Sequence, residues 1–160
     1  MSADTAAAFS ASPSLPGLSE SGDGFTFKML GTTMRLIARA GDTDGRYAVF
    51  EQVTPSGWGP PRHVHELEDE IIYVLDGTYE VSLGDEHKTL SAGGCAILPR
   101  GVPHGFRNVG PEAGRFLCFV APGGLEEYFL ALSRCSVPPS PPQLVEMAKP
   151  YGLTMLPPGV

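Results

Sequence analysis

Basic residues are scarce in this chain: eleven Lys and Arg stand against eighteen Asp and Glu, a formal charge of −7. A net-acidic surface repels a phosphate backbone, and no helix-turn-helix pattern or basic element offsets it, so nucleic acid is excluded as a partner. No apolar run reaches the roughly 18 residues that a bilayer-spanning helix needs, so no membrane role is expected. Cysteine is rarer still, with three (Cys95, Cys118 and Cys135) far apart and no CxxC pair. That odd, dispersed set suits neither a disulfide framework nor a thiolate zinc site, and it points to free thiols in a cytoplasmic setting. The start of the chain lacks both a basic segment and an unbroken apolar one, so it does not read as a secretory signal. Its Ala, Ser, Pro and Gly content predicts a disordered arm over Met1–Gly22. Internal repeats with a period of about 20–50 residues are also missing.

What the chain does have is turns. Twenty Gly and sixteen Pro in 160 residues suit many short strands better than helices. The length allows one domain with a substantial core. Strand signals run over Thr33–Arg39, Tyr47–Thr54, Ile71–Leu75, Thr78–Leu83, Gly94–Leu98, Gly105–Asn108 and Arg115–Ala121, each bounded by Gly, Pro, Asp or Asn. Asp76-Gly77 is a two-residue hairpin signal. Strands at this pitch without intervening helices predict an all-β antiparallel sandwich or barrel over residues 23–122. After Pro122 the period changes. Leu125, Tyr128, Phe129 and Leu132 follow helical spacing, predicting an amphipathic helix over Leu125–Ser133 that packs on the sheets. Beyond the proline-rich break at Pro138–Pro142, Gln143–Lys149 reads as a second short helix and Tyr151–Val160 as an irregular tail. Residues 123–160 thus form a C-terminal helical strap.

The stretch from Gly57 to Glu70, GWGPPRHVHELEDE, carries the chemistry. On a strand, His63 and His65 project to one face while Val64 faces the other way. After a short turn Glu70 opens the next apolar strand, where a hairpin can return a carboxylate beside the two imidazoles. His104 follows Pro99-Arg100-Gly101-Val102-Pro103, a rigid turn that directs the strand it begins. Imidazole and carboxylate are natural donors for a divalent first-row metal. Glu66, Glu68 and Asp69 read as a solvated acidic turn, with Glu68 or Asp69 as competitors of Glu70. His87 lies in a polar hairpin tip and reads as solvated.

These spacings resemble the two motifs of the cupin superfamily. Gly57, His63, His65, Glu70 and Gly77 meet the first, and Gly93, Pro99, Gly101, His104 and Asn108 meet the second. The resemblance covers about Arg46 to Ala121, and the flanks 123–133 and 151–158 resemble the C-terminal part of quercetin dioxygenase-like single-domain cupins. It implies a jelly-roll β-barrel with one divalent transition metal per chain, held by His63, His65, Glu70 and His104. Among the acidic residues, the motif's gap to Gly77 selects Glu70. Gly77 and Gly101 then serve backbone geometry, and Asn108 a strand end.

The resemblance leaves the ion open among Fe(II), Mn(II), Ni(II), Cu(II), Co(II) and Zn(II). Such a centre, with three neutral imidazoles and one carboxylate, keeps about one positive charge and favours an enolate or catecholate oxygen. The implied activity is that of a dioxygenase-type oxygenase acting on a small aromatic or enolisable compound, with Glu70 doubling as a catalytic base. The alternatives are a non-redox isomerase, dehydratase or cyclase, and a non-catalytic small-molecule-binding cupin. Residues alternating with the ligands are candidates for the substrate pocket: Ile72, Val74, Phe106, Phe116 and Cys118. Either Phe50 and Gln52, or Tyr47, Val49 and Glu51, complete it. Free strand edges predict a homodimer.

Overall fold

The computed structural model describes residues 18–157. Eleven strands form: β1 (Phe25–Met29), β2 (Thr32–Ala38), β3 (Ala48–Thr54), β4 (His63–His65), β5 (Asp69–Asp76), β6 (Thr78–Leu83), β7 (Glu86–Ser91), β8 (Cys95–Leu98), β9 (His104–Asn108), β10 (Gly114–Ala121) and β11 (Leu153–Met155). Two helices, α1 (Leu125–Ser133) and α2 (Pro141–Ala148), lie between β10 and β11. One sheet runs β1-β2-β3-β10-β5-β8, the other β11-β4-β9-β6-β7. Their strands pair antiparallel throughout.

Strict alternation sets the inner faces. Ala48, Phe50, Gln52 and Thr54 of β3 are buried, as are Ile72 and Val74 of β5, Tyr79 and Val81 of β6, and Phe116, Cys118 and Val120 of β10. The two inner faces meet in one core. The fold is therefore the all-β jelly roll that the motifs implied. It takes the form of two facing sheets with free edges at β1, β8, β11 and β7, not a closed barrel.

One end of the sandwich is sealed by polar groups. The Tyr79 hydroxyl lies 2.7 Å from that of Thr54. Asn108, a buried strand-end residue, donates to the carbonyls of Thr54, Pro55 and Glu112 and accepts from the Gly110 N–H. The Asp76-Gly77 turn does not close the expected hairpin but crosses from β5 in one sheet to β6 in the other, because each strand finds its ladder partners elsewhere. Gly77 permits the turn, with φ +88° and a Cβ position only 2.8 Å from Gly114 Cα.

Helix α1 has the predicted bounds. It buries Leu125, Tyr128, Leu130 and Leu132, while half-buried Phe129 meets Phe50 edge-on at 5.3 Å. Glu126, also buried, accepts the N–H groups of Ala40 and Gly124, which ties the helix start to the turn after β2. Helix α2 begins two residues earlier than expected, because Ser140 caps it with Gln143 and proline suits its first turn. Of the arm expected over Met1–Gly22, residues 1–17 lie outside the described residues, and the remainder is exposed.

Three strands differ from expectation. β1 precedes the first expected strand, although Phe25, Phe27 and Met29 alternate with Thr26 and Lys28 as a half-buried strand does. β7 is almost wholly exposed and polar, so it has no hydrophobic signal and forms through its backbone ladder with β6. The tail is not irregular: Leu153, Thr154 and Met155 pair with His65, Val64 and His63. Three residues are too few to show a period, and their partner lies far away in sequence. Leu153 is buried in the core. Replacing it with Ala should cost about 2–4 kcal/mol in urea denaturation. Amide exchange in β4 should quicken selectively, and unaltered exchange there would contradict a supporting role for β11.

Candidate metal centre

The side chains of His63 and His65 face inward from β4, and His104 sits directly opposite His63 on β9. Glu70 comes from the other sheet, at the start of β5 beside Val120 of β10. All four are buried, and one donor atom from each lies within 4.8 Å of the others. The rings of His63 and His104 are 4.7 Å apart between centroids, and those of His65 and His104 stack at 5.2 Å. Glu70 Oε2 is 3.1 Å from His104 Nε2 and 3.3 Å from His65 Nε2. Its other oxygen, Oε1, accepts the thiol of Cys118 at 3.1 Å.

The rigid turns orient two of the imidazoles. His63 Nδ1 lies 2.9 Å from the carbonyl of Pro61, and His104 Nδ1 lies 2.9 Å from that of Val102, in each case two residues back. Each carbonyl takes the Nδ1 proton and turns Nε2 toward Glu70. Gly101, at φ +77°, donates its N–H to the carbonyl of His65, so the second motif's turn is hydrogen-bonded to the first motif's strand. Arg100 in that turn grips Asp69 through its backbone N–H, Nε and Nη2.

Electrostatics in the metal-free protein separate the histidines. Burial, with His104 and His65 nearby, drives His63 down to about 4. Burial also pulls His65 down, but Glu68 and Glu70 outweigh it and raise His65 to about 9. Burial opposes charge on Glu70 too, yet hydrogen bonds from His104 and His65 hold it well below the usual carboxylate range. The Cys118 thiol is pushed far up by burial and by Glu70, so it stays neutral. Hydrogen bonds from Arg100 lower Asp69 to about 2.

The acidic turn divides three ways. Glu66 is exposed and accepts the Thr154 hydroxyl; Asp69 is exposed and paired with Arg100. Glu68 is neither solvated nor a competitor of Glu70. It is buried behind His65, with Oε2 3.4 Å from Nδ1. Its spacing of three residues from His65 was visible in the sequence, but the direction of the turn was not. His87 is exposed on β7, apart from this group.

Of the pocket candidates, Phe50, Gln52, Ile72, Val74, Phe116 and Cys118 are buried on the inner faces, with Phe106 packed against them. Tyr47 is not among them. It stacks on Phe119 at 5.3 Å on the outer face of the six-stranded sheet, because alternation in β3 turns Ala48, Phe50 and Gln52 inward. Phe106 and Phe116 meet at 4.9 Å, and Tyr79, which the sequence reading passed over, packs on Phe116 at 5.4 Å. This aromatic wall lies one inward position along the strands from His104 and Cys118.

Four converging donors, two imidazoles pre-set through Nδ1 and a buried carboxylate suit a divalent transition ion. A two-sheet jelly roll with three histidines and a glutamate inside defines the class of protein. Residues 49–120 match the family model described as Cupin domain, and this segment is a cupin domain. It is 34% identical to Protein SchB of Streptomyces halstedii over 83 residues, 52% of this chain and 59% of that protein. It is 35% identical over 96 residues to Quercetin 2,3-dioxygenase of Bacillus subtilis, 58% of this chain but 28% of that protein. The polyketide cyclase RemF from Streptomyces resistomycificus has a similar solved structure, with TM-score 0.57 and 26% identity, covering 67% of this chain and 80% of that one.

The shifted histidines set the pH dependence of the metal-free protein. His63, lowered to about 4, stabilises the fold above its ordinary 6.5 and loses that contribution as pH falls through about 4. His65, raised to about 9, contributes below 6.5 and loses its contribution as pH rises through about 9. Thermal denaturation with chelator should therefore show greatest stability near neutrality. His65→Gln should flatten the alkaline limb. A midpoint constant from about pH 6.5 to about pH 9 would contradict the assignment of charge to His65.

Proposed function

We propose that this cupin is a metal-dependent enzyme acting on a small aromatic or enolisable compound, as an oxygenase of the dioxygenase type. The observation that carries the reading is the buried His63, His65, Glu70 and His104 group set beside the Phe106–Phe116 wall. An apolar, aromatic lining suits a flat substrate better than a sugar phosphate. The likeness to a quercetin dioxygenase supports the same substrate class.

The four residues would hold one divalent ion from the series Fe(II), Mn(II), Ni(II), Cu(II), Co(II) and Zn(II). Such an ion supplies Lewis acidity and, where redox-active, access to dioxygen. The chain's own residues do the rest. Half-buried Phe106, held edge-on by buried Phe116, offers a planar ring an aromatic contact, and Ile72 and Val74 keep water out. Glu70 is ionised and so can accept a proton, but its low proton affinity makes it a weak base. That favours Glu70 as a ligand over the dual role expected from sequence.

A redox-neutral cyclase is the second reading, favoured by the likeness to RemF over most of that protein's length. Protein purified without an affinity tag should contain about one transition metal per chain by elemental analysis. His63→Ala/His65→Ala should lose most of it while keeping a β-sheet spectrum, and full occupancy there would overturn the metal site. An oxygen electrode, with quercetin and an aromatic polyketide as probes, separates the readings. Uptake matched to product supports the oxygenase, and an isomeric product without uptake supports the cyclase. Glu70→Gln should weaken metal binding about 10–100-fold and leave turnover at saturating metal within about tenfold. A loss of about 10²–10⁴ in turnover at saturating metal would restore the base.

The reading includes a homodimer in a reducing compartment. Cys95, Cys118 and Cys135 are free thiols, and no helix among the described residues is long and apolar enough to cross a membrane. The edge strand β8 exposes Ile97 (66%) beside Tyr73 (43%) of β5, on a sheet face whose next strand adds Leu117 and Phe119. This exposed apolar patch suits a second copy better than a charged partner. Sedimentation velocity should report a dimer that Ile97→Glu dissociates, and a monomeric parent protein at about 100 μM would overturn it.

A further inference from the structure

We infer that Glu68 is a positioning residue of this centre: it accepts a hydrogen bond from Nδ1–H of His65, fixes the tautomer that turns Nε2 inward, and strengthens that one imidazole as a donor. The inference rests on the metal-site reading above.

The three imidazoles are not equivalent. His63 and His104 each follow a proline-containing turn whose carbonyl, two residues back, accepts Nδ1–H. His65 closes strand β4, and no carbonyl serves its Nδ1. That nitrogen and Glu68 Oε2 are both buried, and neither has a hydrogen-bond partner. They face each other across 3.4 Å. A carboxylate that is only 4% exposed is costly to bury unless a partner compensates it, and His65 is the group in reach.

The turn that presents Glu68 is anchored. The Glu66 N–H donates to the Gly152 carbonyl at 2.8 Å, and the Thr154 hydroxyl donates to Glu66 Oε1 at 2.8 Å. Gly152 adopts φ +65°, and a Cβ there would lie 2.6 Å from Leu67 Cγ. The C-terminal strand thus presses the Glu66–Glu68 turn onto the ligand strand. The placement of Glu68 is built by the fold.

Two chemical consequences follow. A carboxylate on Nδ1–H gives His65 partial imidazolate character, which strengthens its bond to a cation through Nε2. The charge also changes. A dication, three neutral imidazoles, Glu70 and Glu68 sum to about zero, where the ligands alone would leave about one positive charge. The centre then favours a substrate that is neutral or gives up its proton on binding over a preformed anion.

Co(II) titration followed by its d–d absorption is the test, with Glu68→Gln and Glu68→Ala beside the parent protein. Glu68→Gln keeps the shape and a weaker acceptor. It should lower Co(II) affinity several-fold, and Glu68→Ala about 10–100-fold. Azide should bind the Co(II) form of Glu68→Gln several-fold more tightly than it binds the parent, because the centre has become more positive. In histidine-labelled, Zn(II)-loaded protein, proton–nitrogen spectra should show the Nδ1–H signal of one ligand histidine moving and two staying. A merely structural role would lower the melting temperature without moving that single signal. Should Glu68→Ala fail to fold, the isosteric Gln variant decides alone. A parent that binds Co(II), with variants matching it within about twofold and all Nδ1–H signals in place, overturns the inference and leaves the metal site standing. A parent that takes up neither Co(II) nor Zn(II) overturns both.

Discussion

The structure depends on one buried carboxylate from one sheet meeting three imidazoles from the other. Glu70 is buried, so the hydrogen bonds from His104 and His65 must stabilise its charge. That requirement sets the register of strands that otherwise touch little. β4 pairs with β9 at a single position, His63 opposite His104. A slip of one residue in β5 would turn Glu70 outward and bring Asp69 or Ile71 into its place. The Arg100–Asp69 pair opposes that slip from the outer side, since it holds the residue before Glu70 against the turn before His104.

How far the sequence speaks follows from the range of each interaction. The turn at Asp76-Gly77, helix α1 and the four converging residues were legible, because alternation, helical spacing and turn chemistry are local properties. That this turn crosses between sheets, with β5 and β6 unpaired, was not. The motif spacings then carried the one non-local step, bringing Glu70 across from the other sheet. β7 and β11 were not legible. The first is made by its backbone ladder with few side chains buried, and the second by a partner about ninety residues away. The two faces of β3 are both partly apolar, so composition left Tyr47 and Phe50 equally placed; packing against β10 turned Phe50 inward. Glu68 looked like a surface acid because nothing local shows that a turn is pressed inward by a distant strand.

That distant strand changes how the C-terminal segment should be seen. Residues 123–157 look appended in sequence, yet they hold the candidate metal centre from two directions. Helix α1 places Phe129 on Phe50, whose β10 partner is Cys118, the residue that donates to Glu70. β11 lies along β4, opposite both ligand histidines. Tyr128 and Tyr151 meet at 5.6 Å and join the two supports. Loosening the strap therefore reaches the donors through packing, without touching them.

The same geometry bears on which of the two proposed reactions suits the centre. Two imidazoles are oriented by neutral carbonyls and one by a carboxylate, so the donor set is asymmetric before any substrate arrives. With Glu68 counted, charge no longer draws an anion in, and in the proposed reading recognition falls to the apolar, aromatic surroundings of Phe106. A planar, enolisable compound fits both demands: it stacks in its neutral form and becomes a good donor only on losing a proton. Oxygenation and cyclisation make the same use of such a wall and such a donor set. They differ in whether the ion can pass an electron to dioxygen, which depends on the ion's identity more than on any residue in this pocket. This is the physical reason that one ligand quartet is compatible with both readings, and why identifying the metal decides more than further mapping of the pocket.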